Sequence, residues 1–159
     1  MAKRGLLKKL EKALRDELAA ANRVAKETAD AANHPEARPE NDKDTRKIEL
    51  SYLAAGQAAR AKELEAGLAL LSQIPAREFD ASAPLAIGAL VELDVDGKTQ
   101  RVLLSPAGGG LKLSDDGGDI NVVTPSSPLG RGLVGKSAGD GFELAIGGQR
   151  REVTIVRAE

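Results

Sequence analysis

Val91-Glu92-Leu93-Asp94-Val95-Asp96-Gly97 alternates apolar and acidic residues and then stops on a dipeptide that favours a tight hairpin turn. Thr99 to Leu104 follows as the return strand. Period two continues towards the C-terminus: Leu111 and Leu113, then Ile120 to Val123, then Phe142, Leu144 and Ile146 leading into Gly147-Gly148, with Val153 and Ile155 coming back. Asp96-Gly97 and Gly147-Gly148 predict two hairpins, the second being the clearer. Between the strands, Ser127-Pro128 predicts one short helix over 128–134, Ser127 capping it and Pro128 at its first position.

Upstream the period is different. Pro75 to Pro84 (PAREFDASAP) reads as a linker, and before it the apolar residues recur at helical steps. Leu7, Leu10, Leu14, Leu18, Ala21, Ala25 and Thr28 form one stripe, uninterrupted by Pro or Gly from Leu6 to Ala32. Asn33-His34-Pro35 and then Pro39 break it. From about Asn41 the stripe resumes as Ile48, Tyr52, Ala55, Ala59, Leu64, Leu68 and Leu71, ending near Pro75. Two helices of this length joined by a short polar loop fold back antiparallel, burying one seam and leaving the far end as a solvated rod.

The fold class expected is therefore α+β. A coiled-coil hairpin occupies 1–74, with its tip near 33–44. A linker spans 75–84, and a small antiparallel β domain with one short helix spans 85–159.

Composition narrows the chemistry. The chain has 159 residues, 42% hydrophobic and 30% charged, a balance that argues against global disorder. Aromatic residues are 2%, only Tyr52, Phe79 and Phe142, too few for a base-stacking platform. A net charge of -1 gives no basic face for duplex DNA. There is no cysteine, hence no disulfide, thiol nucleophile or thiolate zinc site, and the one histidine, His34, reads as a loop residue. The basic run Lys3 to Lys9 reads as a solvated helix face, with no apolar stretch after it long enough for a signal peptide or membrane span. A cytoplasmic protein without membrane contact is expected.

Gly130-Arg131-Gly132-Leu133-Val134-Gly135-Lys136-Ser137 matches the phosphate-loop pattern letter for letter. The chemistry also needs a buried strand before it and a long helix starting at the Lys. Here Ala138-Gly139-Asp140-Gly141 and a strand follow, so the segment reads as a short helix and a turn. Polar chemistry concentrates at the hairpin tip: His34, Glu36, Arg38, Glu40, Asn41, Asp42, Lys43 and Asp44. Glu40 and Asp44 lie about one helical turn apart, and such carboxylates can share Mg²⁺ with ligands from a partner. The plainer alternative is that these acids cap the second helix and complement its dipole.

Ser126-Ser127-Pro128-Leu129-Gly130-Arg131-Gly132-Leu133-Val134-Gly135-Lys136-Ser137-Ala138-Gly139-Asp140, followed by a terminal hairpin, closely resembles the C-terminal domain of the GreA and GreB transcript-cleavage factors. That resemblance implies an FKBP-like β domain and an N-terminal antiparallel coiled coil, and so covers nearly the whole chain. It implies a transcription elongation factor whose globular domain docks at the rim of RNA polymerase core, through Ser126, Ser127, Pro128 and Leu129 here. The coiled coil enters the secondary channel. Tip acids, here Glu40, Asp42 and Asp44, assist a Mg²⁺ at the polymerase's own active site, with Glu40 and Asp44 as its ligands. The factor has no cofactor or catalytic residue of its own and is no enzyme alone; its contact with the transcript is indirect. It would be bacterial, nucleoid-associated through polymerase, and a monomer, with self-association of the coiled coil left open.

The sequence departs from the family at two places. The family's tip D-L-S-E-N corresponds to Ala37-Arg38-Pro39-Glu40-Asn41, which lacks the first acid and adds a cation. Asp42 or Asp44 can replace the lost carboxylate from the other side of Glu40; otherwise the chain enters the channel as a cleavage-inactive regulator. Ser126 stands where the family usually has an acid. A prolyl isomerase is disfavoured, since its pocket is aromatic-lined and this domain offers only Phe142, with Phe79 at its edge. Outside the family, the remaining reading is a coiled-coil adaptor unrelated to polymerase.

Overall fold

The computed structural model describes residues 2–33, 41–74 and 78–159, with side chains at 3–32, 45–74 and 78–159. Two helices open the chain, α1 (Ala2–Asn33) and α2 (Asn41–Ser72), each 32 residues. At 1.5 Å per residue each is about 48 Å long. Six strands and one short helix follow: β1 (Leu90–Val95), β2 (Lys98–Leu104), β3 (Lys112–Asp115), β4 (Gly118–Val123), α3 (Pro128–Leu133), β5 (Gly141–Ile146) and β6 (Gln149–Ala158). The helical and period-two readings thus hold element by element. The chain forms two compact units, Lys12–Leu68 and, together, Met1–Glu11 with Ala69–Glu159.

In the hairpin unit the α1 stripe packs as its spacing predicts. Leu14, Ala21, Thr28 and Ala32 are buried and Leu18 and Ala25 half-buried. The α2 face is not the one predicted. Ile48 is 55% and Tyr52 76% exposed, and Ala55 and Ala59 are exposed too. The inward set is Leu50, Ala54, Gln57, Ala61 and Leu64, half-buried at first and fully buried from Ala61. The reason lies in the step between Ala59 and Leu64. Five residues are not a helical repeat, and stepping back from Leu64 by three or four reaches Ala61, Gln57, Ala54 and Leu50. An alanine-rich helix has no strongly apolar face of its own, so the leucines at its base set the register. Arg60 crosses the seam, its Nη2 donating to Glu17 Oε2 at 3.1 Å.

The sheet unit is one six-stranded sheet in the order β3-β4-β2-β1-β6-β5. Three hairpins build it: β1–β2, β3–β4 and β5–β6 are antiparallel, as is β1–β6, while β2 and β4 run parallel through Val102↔Asn121, Leu103↔Val122 and Leu104↔Val123. Asp96 (φ 51°) and Gly97 (φ 85°) make the first turn, Gly147 (φ 58°) and Gly148 (φ 79°) the last, both with the two positive φ values that match strand twist. The core comprises Leu85, Val91, Leu93, Val95, Val102, Leu104, Leu133, Leu144, Val153 and Ile155, closed by Phe79.

The basic start of α1 is not merely a solvated face. Lys3 is buried at 8% exposure; its Nζ donates to the Glu159 carbonyl at 2.8 Å and lies 4.9 Å from the centre of the Phe79 ring. Lys9 Nζ donates to the Ser114 carbonyl at 2.7 Å. Both ammonium groups therefore satisfy backbone acceptors at ends of β strands, which a helical wheel alone does not reveal. No described helix is long and apolar enough to cross a membrane.

Candidate functional site

Ser127 organises the segment expected to dock. Its Oγ donates to the Thr124 carbonyl at 2.7 Å and accepts from Gly130 N–H at 3.1 Å, so one hydroxyl closes the loop and caps α3. Pro128 occupies the first turn of α3, where a missing N–H costs nothing. Ser126 Oγ lies 3.1 Å from Thr124 Oγ1, and the Ser126 carbonyl accepts from Arg131 Nε at 3.0 Å. Ser126 and Pro128 are exposed, Ser127 and Leu129 half-buried. The backbone is thus tied inward while the Ser126 hydroxyl and the Pro128 ring are presented outward and Leu129 packs partly against the core.

Around this loop runs an open groove of about 510 Å³. Its walls are Val123 at the end of β4, Pro128 and Leu129, the Gly109–Gly110 turn, and Ile146 at the end of β5, the last 53% exposed. Val123, Gly109, Gly110 and Ile146 were not foreseen as neighbours of the loop. The nearest cation on α3 is Arg131, already turned towards the Ser126 carbonyl. The loop offers shape and apolar surface, with the neutral, exposed Ser126 at its edge.

The phosphate-loop letters are spent on packing. A Cβ on Gly130 would collide with the Thr124 carbonyl, and one on Gly132 with the Phe142 ring. Gly135 sits at φ 84° just past the helix, and its N–H donates to the Leu85 carbonyl at 2.9 Å. Lys136 Nζ stands 5.8 Å from the centre of the Phe142 ring, and Ser137 N–H donates to Asp140 Oδ2 at 2.8 Å. No helix begins at Lys136, so no N-terminus faces a phosphate there.

The tip residues fall differently. Glu40 lies outside the described residues, as do the side chains of Asp42 and Asp44, whose backbone belongs to the first turn of α2. Among the described residues, no three Asp, Glu or His side chains form a group able to hold a metal.

One carboxylate is strongly perturbed. Asp115 at the end of β3 accepts both prongs of the Arg101 guanidinium, one at 2.9 Å, and Gly117 N–H at 2.8 Å. The Arg101 fork above all, against an opposing desolvation cost, holds its pKa down at about 2. Arg101 lies on β2 and reaches across β4 to β3, so this pair is a brace of the sheet rather than acid–base machinery.

No family model and no curated protein sequence matches the chain. Among solved structures, GreA factor homolog 1 (Gfh1) of Thermus thermophilus is similar at 21% identity and a TM-score of 0.37, over 99% of this chain and 94% of that one. Gfh1 of Thermus aquaticus is similar at 16% identity and 0.39, over 98% and 95%. The elongation factor GreA/GreB of Nitrosomonas europaea is similar at 22% identity and 0.35, over 62% and 78%. At these scores the likeness carries no argument about activity; what the chain itself holds is a helical hairpin, a six-stranded sheet and one short helix, with the Ser126–Asp140 segment running through that helix.

Proposed function

We propose that the protein is a Gre-type regulator of transcription elongation that binds RNA polymerase core. The β domain docks at the rim of the secondary channel through Ser126, Ser127, Pro128 and Leu129, and the hairpin enters the channel. One observation supports this above the rest: the signature loop is pinned by Ser127 and Gly130 so that Ser126 and Pro128 stand outward beside an apolar groove. A loop built only to connect β4 to α3 needs the cap but not the uncovered apolar wall.

At the tip, Glu40 and Asp44 would offer carboxylate oxygens to a Mg²⁺ held by the polymerase, and that metal would supply the activation of water for transcript hydrolysis. The chain's own part is to deliver anionic ligands at the end of a rod whose helices run 32 residues each. A second reading, a channel-occupying regulator without cleavage activity, is favoured by one sequence fact: Ala37 and Arg38 replace an acid with a methyl group and a cation.

The deciding experiment uses a backtracked elongation complex with Mg²⁺, wild type and the Glu40→Ala, Asp44→Ala double variant, and binding measured in the same samples. Accelerated cleavage by wild type and binding without cleavage by the variant is the expected outcome. Binding by both with cleavage by neither establishes the regulator instead. Absence of binding rejects polymerase as the partner.

A further inference from the structure

Thr124, half-buried between β4 and the docking loop, is engaged by all three of its functional groups. Its carbonyl accepts Ser127 N–H at 3.1 Å and Ser127 Oγ at 2.7 Å, which fixes the backbone of the loop. Its methyl lies under the facing turn, where a Cβ on Gly109 would come within 3.1 Å of Thr124 Cγ2. Its hydroxyl lies 3.1 Å from Ser126 Oγ, and either oxygen can donate to the other. The first two contacts are structural. The third is different, because it holds an exposed side chain on the face that the loop presents. We propose that Thr124 is a positioning residue for docking, whose hydroxyl sets the orientation in which Ser126 meets its partner. The proposal rests on the reading that this loop docks on polymerase.

The rest of Ser126 is already constrained. Pro125 restricts its own φ and keeps Thr124 out of the helical region, so the short path from Thr124 to Ser126 has little backbone freedom. On the other side, the Ser126 carbonyl accepts from Arg131 Nε at 3.0 Å. What is left is rotation about the Ser126 Cα–Cβ bond, with the three staggered positions of any such torsion. An exposed serine with no partner samples them all. The Thr124 hydroxyl selects one of them before polymerase arrives, so binding does not have to order the side chain. Choosing one position of three in advance corresponds to about a threefold gain in affinity. The same bond contributes little to folding, since both hydroxyls can turn to water when it is lost.

Thr124→Val removes the hydroxyl and keeps the branched shape that packs against Gly109. It should weaken binding to RNA polymerase core about threefold, with an unchanged melting temperature. Thr124→Ser returns the hydroxyl and should restore binding to within about twofold of wild type. The decisive readout is coupling: in a Ser126→Ala background, Thr124→Val should have no further effect on binding. Effects that simply add overturn the proposal, because a residue that only supports the loop acts whatever stands at position 126. A measurement without polymerase separates the two levels of the argument. NMR couplings between Hα and Hβ of Ser126 should report one dominant rotamer in wild type and averaging in Thr124→Val. Averaged couplings in wild type overturn the positioning role alone. A single rotamer in a wild type that does not bind core overturns the docking reading, and the proposal with it.

Discussion

Asp115 shows how one side chain can make a sheet pH-dependent. Its carboxyl pKa is drawn from an ordinary 3.8 to about 2 because the Arg101 fork, and then Gly117 N–H, bind the charged form. A folded pKa below the unfolded one adds stability that is complete above the unfolded value. It is lost as pH falls from about 3.8 to about 2. Asp115→Asn keeps an acceptor for Gly117 but loses the charge. Its melting temperature should therefore lie below wild type at pH 5 to 7, with the gap closing as pH falls from about 4 to 2. Thermal denaturation of both proteins across that range measures it; a gap that stays constant would mean the pair braces the sheet by shape alone. Nothing in the sequence marks Arg101 and Asp115 as partners, because they meet across an intervening strand. Ser127, by contrast, was readable as a cap, since capping depends on the three residues that follow it.

At the scale of elements, local chemistry carried most of the reading. The turns Asp96-Gly97 and Gly147-Gly148, the short helix and the α1 stripe each follow from residues within one turn or hairpin. What failed was α2, and it failed because alanine supplies both of its faces: Ala55 and Ala59 point out while Ala54 and Ala61 point in. Composition cannot choose between such stripes; only the step from Leu64 can. The parallel β2–β4 pair was equally out of reach, since strand order depends on contacts far apart in sequence. The corrected register makes a sharp prediction. Ala61→Glu places a carboxylate at a position 4% exposed and should destabilise the hairpin by about 2 kcal/mol or more. Ala59→Glu, two residues earlier and on the outer face, should change stability by less than about 0.5 kcal/mol. Helix melting followed at 222 nm decides between the registers; equal effects, or the reverse order, would restore the stripe through Ala59.

The whole molecule divides its stability unevenly between its two units. The hairpin unit closes on Leu14, Ala21, Thr28, Ala32, Ala61 and Leu64, a single seam in which alanine is the commonest side chain. Alanine gives little apolar area to bury, and two helices offer only one face each. The sheet unit buries Val91, Leu93, Val102, Leu104, Leu133 and Ile155 to 0% exposure, and its strands β1 and β2 are paired on both sides. Cooperative opening should therefore cost much less in 45–60, where the inward residues of α2 are only half-buried, than in β1, β2 and β6. The same economy explains why the expected site was legible as a resemblance more than as geometry. The hairpin rests on helix propensity and length, which sequence shows plainly, whereas the tip residues Glu40, Asp42 and Asp44 were singled out by resemblance and by their charge. Native-state hydrogen exchange gives the measurement: amides of 45–60 should exchange at least about tenfold faster than those of Val91, Leu93, Val102 and Ile155. Equal protection in the two units would mean that hairpin and sheet unfold as one cooperative body, and that α2 draws stability from contacts beyond its seam.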